Sequence, residues 1–180
     1  MKPKRVRKRI AYVKKGSPAI EDELAFVSNK CSVKARKIDL VVENIQIELW
    51  FDKHYFDRYY LGDENGKREG IDPKAVGALV KKSFPFLLLY SCEVRGFAFV
   101  NYFDSGEPGI RVVLQQALED RILNVVIETH YKGIKQFEMT VKTAMCCADF
   151  RVSIGQYVID FHGNVPVLKR KDQSRSVVIM

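Results

Sequence analysis

The chain of 180 residues carries 30 Lys and Arg against 22 Asp and Glu, with 47% hydrophobic and 11% aromatic residues and four cysteines. That composition excludes a disordered polyelectrolyte and a disulfide-stapled miniature scaffold, because the apolar content can fill the core of one domain unaided. Eight basic residues fall within Met1 to Lys15, a stretch without any acid, so the net charge of +8 belongs to an arm and the remaining body is formally neutral.

The arm residues Lys2, Lys4, Arg5, Arg7, Lys8 and Arg9 form the densest cationic block. A block of this kind repels itself and attracts RNA or another polyanion at long range, without reading sequence. The basic start lacks the apolar segment of a secretory signal, and Cys31, Cys92, Cys146 and Cys147 are irregularly spaced, which suggests a reduced, cytoplasmic chain. The longest apolar run, Phe84 to Tyr90, contains Pro85 and is too short to span a bilayer, so no membrane partner is expected.

Ser17-Pro18 opens a short helical pattern, and Lys30 to Lys37 reads as a polar connection. Ile45, Ile47, Leu49 and Phe51 alternate with Asn44, Gln46, Glu48 and Trp50, which predicts a half-buried strand. Asp52 then caps a short helix over Lys53 to Leu61, and a polar loop follows from Gly62 to Gly70. Asp72-Pro73 starts a second helix, expected to stop before Pro85. Gly96 to Tyr102, Ile110 to Leu118, Ile122 to Tyr131, Gln136 to Met145 and Gln156 to Phe161 read as strands joined by short polar breaks. The expected fold is therefore α+β, with N-terminal helices packed on one face of a four- to six-stranded, mainly antiparallel β-sheet. Its divisions are a basic arm over 1–16, one domain over 17–165 and a loose tail over 166–180.

His54 and Arg58 stand one helical turn apart, and together offer a proton-transfer group beside a planar cation suited to phosphate. If the apolar faces of the hairpin from Leu123 to Thr143 coincide, His130, Glu138, Thr140 and Lys142 project from one side of the sheet. Solvated, such a face supplies an acid–base pair and a phosphate-binding cation; it is also the ordinary polar face of a half-buried sheet. Lys67 and Arg68 add charge in the loop. Metal signatures are absent, the pair Asp160 and His162 being too small a set, and no cofactor is expected.

The segment from Trp50 to Arg58, followed by Arg68-Glu69-Gly70-Ile71-Asp72-Pro73-Lys74-Ala75-Val76, resembles small domains related to the BrnT toxins, within the barnase–EndoU–colicin–RelE superfamily of ribonucleases. The resemblance rests on His54, Arg58, Gly70, Ile71 and Val76, and implies a toxin-like, metal-independent ribonuclease in which the RNA 2′-hydroxyl attacks the adjacent phosphate. In that reading His54 and His130 transfer protons, Arg58 and Lys142 hold phosphate, and a cognate antitoxin or other acidic protein is a partner. The competing expectation is a nucleic-acid-binding or protein-interaction module that works through the arm.

Overall fold

The computed structural model describes residues 36–51, 55, 59, 70–101, 109–118, 121–163, 165–173 and 175–180. Within them one open sheet of nine strands dominates. These are β1 (Arg36–Val42), β2 (Ile45–Phe51), β3 (Val100–Asn101), β4 (Arg111–Ala117), β5 (Ile122–Gly133), β6 (Gln136–Cys146), β7 (Tyr157–Phe161), β8 (Val167–Lys171) and β9 (Ser176–Val178). The spatial order is β1-β2-β6-β5-β4-β7-β8-β9, with β3 alongside the end of β5. The pairs β2–β6, β4–β7 and β3–β5 are parallel and the other neighbours antiparallel.

A single long helix of the described residues, α1 (Pro73–Glu93), lies between β2 and β3 in sequence. The Asp72 carboxylate accepts from the Lys74 N–H at 2.8 Å, and Pro73 occupies the first turn where its missing N–H costs nothing. The helix continues through Pro85 to Glu93 because Pro85 is exposed, so the carbonyl it leaves unpaired faces water, while Leu87 and Tyr90 beyond it are buried. The Tyr90 hydroxyl donates to the Pro166 carbonyl at 2.8 Å and ties the end of the helix to the strand that follows. By length and composition α1 would suffice to cross a membrane, a test that core helices also pass; here eight of its residues are buried.

Alternation along the strands sends Ile47, Leu49, Leu114, Val125, Ile127, Met139 and Ile159 to the helix side, where they form one core with Val76, Leu79, Val80, Phe84 and Leu87. The opposite face carries Val113, Val126 and Val158, covered by Phe150 and Val152 from the connection between β6 and β7.

This architecture overturns the expected α+β layout of N-terminal helices on a small antiparallel sheet. The described chain is mostly β, its sheet is larger and mixed, and its helix is internal. The physical reason lies in two segments whose charge hid their pairing. β1 (RKIDLVV) aligns Lys37 and Asp39 with Trp50 and Glu48, so its ions share a face and pair there. β8 (VLKRK) and β9, expected as a loose tail, extend the far edge, with Leu168 fully buried and Lys169 opposite Val158. The toxin-like ribonuclease architecture implied by the resemblance falls with the same finding, and the ribonuclease assignment built on that architecture is set aside. The expected helices after Ser17 and Asp52 lie outside the described residues, apart from Tyr55 and Tyr59, which are helical.

Candidate functional site

Of the candidate residues, Lys2, Lys4, Arg5, Arg7, Lys8, Arg9, His54, Arg58, Lys67 and Arg68 lie outside the described residues. His130 and Lys142 are described, and β5–β6 pairing sets His130 opposite Glu138 and Glu128 opposite Thr140. The hairpin face is not solvated as expected: His130 is 7% exposed and Glu138 is 1% exposed. A row of ionisable groups, Asp39, Glu48, Glu138 and His130, runs across β1, β2, β6 and β5. Burial alone would push the Glu48 carboxyl up, but the hydrogen bond and charge of Lys132 at 2.7 Å, with Trp50 and Lys37, hold it below its ordinary value. Among the described residues no group of three or more His, Cys, Asp or Glu side chains could hold a metal ion.

At the other end of the sheet, Asp160 accepts from the Lys169 ammonium, from the His162 backbone N–H at 2.9 Å and from the His162 ring at Nδ1. Burial raises this carboxyl, and the bonds from Lys169 and His162 overcome it, so Asp160 ionises below its usual 3.8. A depressed folded value means that the carboxylate stabilises the fold above the unfolded value and ceases to do so as pH falls through the folded one. The stability lost by Asp160→Asn should therefore stay constant from neutrality down to about pH 5 and shrink below about pH 4. Thermal unfolding of both proteins across that range is the check, and a difference that grows on acidification would refute the assignment.

Among the described residues, several cations gather with aromatic rings where β4 and β7 begin. The connection from Cys147 to Gln156 folds over the sheet, because Phe150 and Val152 pack on Val113, Val126 and Val158. Between it and the backbone at Gly96, Ala98, Gly109 and Ile110 lies a cavity of about 750 Å³, lined also by Arg111, Lys142, Arg151, Phe150 and Tyr157. Tyr157 is fixed there from three sides. Its hydroxyl donates to the Gly96 carbonyl at 3.2 Å, the Phe97 ring meets it edge-on at 4.9 Å, and the Arg170 guanidinium lies 5.4 Å from its centroid. Arg111 and Lys142 both approach Glu128, at 3.1 and 3.9 Å, with His130 Nε2 also 3.9 Å from the same carboxylate.

Lys142 reaches this point through an irregularity in the ladder. Val126 pairs with Thr143 and Ile127 with Val141, so Lys142 is the extra residue of a bulge that turns it toward Glu128.

Comparison with known proteins gives no matching family model, no matching curated protein and no matching solved structure. The functional reading therefore rests on the chemistry of the cavity.

Sequence reasoning singled out Lys142 but missed Arg111, Arg151, Phe150 and Tyr157. Arg111 reads as a polar residue near the start of a strand, and Tyr157 as an apolar strand residue. Only Asp149-Phe150-Arg151 carried a usable sign, an aromatic beside a cation within a polar break between strands. The structure draws Lys142 and His130 each to Glu128 and leaves buried His130 off the cavity wall.

Proposed function

We propose that the chain is a nucleic-acid-binding module that holds a single strand at the cavity formed by β4, β7 and the β6–β7 connection. The observation that carries this reading is that Arg111, Lys142 and Arg151 line one cavity together with Phe150 and Tyr157. Phosphates meet the cations, and bases pack against the exposed parts of the half-buried rings without regard to sequence. Arg111 suits this role further because its side chain is half exposed beside a mainly buried carboxylate. The eight cations between Met1 and Lys15 add long-range attraction, which also works through the phosphate backbone.

Fluorescence anisotropy with a labelled oligouridine tests the reading. The triple variant Arg111→Gln, Lys142→Gln, Arg151→Gln should weaken binding on the order of tenfold at low salt. The slope of log affinity against log salt should flatten by about 2, since each single-strand phosphate contact contributes about 0.7. Neutralising Lys2, Lys4, Arg5, Arg7, Lys8 and Arg9 should flatten it further. Unchanged affinity and slope in the triple variant would refute the cavity as the binding site.

A further inference from the structure

We propose that Glu128 is a built-in competitor for the phosphate, held against the binding cations by the absence of a side chain at Gly109, so that the cavity admits polymeric phosphate and turns away free phosphate. The proposal rests on the nucleic-acid-binding reading and concerns the regulation of that same site. Both neighbouring strands bring a cation to the carboxylate on β5. Arg111 of β4 faces Glu128 directly across the ladder and donates from Nε at 3.1 Å, and bulged Lys142 of β6 brings its ammonium to 3.9 Å. Both cations line the cavity, so the anion they already face is one the chain itself supplies.

Gly109, also in the cavity wall, makes that placement possible. A Cβ there would lie 2.7 Å from the Glu128 carboxyl carbon and 2.9 and 3.0 Å from its two oxygens. The carboxylate thus fills the volume that any side chain at 109 would claim. The φ of Gly109 is not in the left-handed region, unlike that of Gly70, Gly96 and Gly155, so its backbone does not call for glycine. What alanine would disturb is the position of Glu128.

The consequence for ligand choice follows from exchange. A lone phosphate must displace Glu128 from Arg111 and Lys142, replacing one anion by another with little net gain. A strand makes the same exchange but adds Arg151, Phe150 and Tyr157, contacts that the carboxylate does not satisfy. The competitor therefore costs every ligand alike, and only a polymer recovers the cost.

The test uses the full chain, labelled oligouridine and inorganic phosphate as a competing anion. Glu128→Gln removes the competitor. Gly109→Ala moves it without altering net charge. Asp39→Asn, which deletes an exposed carboxylate beside Lys37, supplies the control for net charge. Glu128→Gln should bind oligouridine about three- to tenfold more tightly than wild type, well beyond any gain in Asp39→Asn. Gly109→Ala should gain in the same direction, and the double variant should gain no more than Glu128→Gln alone. Strand affinity of Glu128→Gln should begin to fall at lower phosphate concentrations than that of wild type, and the two should converge at high phosphate. Melting temperatures confirm that each variant is folded, and Glu128→Gln decides the matter if Gly109→Ala is not. Wild-type binding that the triple cation variant weakens as expected but Glu128→Gln leaves at the Asp39→Asn level overturns this proposal alone. Failure of every protein to bind at low salt overturns the binding reading and this proposal with it.

Discussion

Phe84→Ala is expected to destabilise the protein by about 3–5 kcal/mol, the usual range for emptying a buried phenylalanine site. Phe84 is fully buried on α1 and meets two rings edge-on, Phe137 of β6 at 5.2 Å and Phe99 just before β3 at 6.2 Å. It is thus where the helix grips both the middle of the sheet and the short strand beside it. A domain of ordinary stability holds only about 5–15 kcal/mol in reserve, so the variant should approach the unfolding threshold. Urea unfolding measures the loss. Phe84→Leu, which retains most of the volume, should lose less than about 1.5 kcal/mol. A loss below about 1 kcal/mol in the alanine variant would mean that the helix does not dock as described.

Asn124→Leu should cost about 2–4 kcal/mol for a different reason. The side chain is wholly buried and its amide nitrogen donates to the carbonyls of Ile122, Met145 and Cys147 at 2.9, 3.3 and 2.8 Å. Its oxygen accepts from Gln115 at 2.7 Å. Leucine fits the space approximately and leaves these partners without water to replace it, at about 1–3 kcal/mol for a buried unsatisfied group. The carbonyls of Ile122 and Cys147 flank the end of the β5–β6 ladder, so the damage should show as early amide exchange where that hairpin meets the β6–β7 connection. Asn124→Asp keeps the shape and reverses the donor. It should lose at least as much stability at neutral pH and recover part of it on acidification, when the protonated acid donates one bond. Equal stability of Asn124→Leu and wild type in urea would remove the proposed network.

Both sites show how far the residues themselves announce the fold. Alternation marked the strands that became β2, β4, β5, β6 and β7, and Asp72-Pro73 marked where α1 begins, because these are local signals. The end of α1 was not legible. Pro85 counts as a stop until the burial of Leu87 and Tyr90 is known. Nor was β1 or β8, whose lysines and arginines suit a loop unless a neighbouring strand supplies Glu48 or Asp160. Alternation along β5 puts Asn124 on the face of Glu128 and His130, yet the connection that carries Phe150 and Val152 comes back over that face and encloses part of it. The cavity was invisible for the same reason. Arg111, Lys142 and Arg151 come from two strands and a connection, and no spacing in the chain encodes a convergence made by folding back.

The parallel pairing of β2 with β6 bears on how the protein is made. Gln46 lies beside Gln136, ninety residues later in the chain. On a ribosome adding roughly 5–20 residues per second, the β1–β2 hairpin waits about 5–20 seconds for the strand that will flank it. Throughout that interval Ile47, Leu49 and Phe51, among the most completely buried side chains of the finished sheet, have no β6 to lie against. The nascent chain therefore carries this apolar edge before its own complement exists.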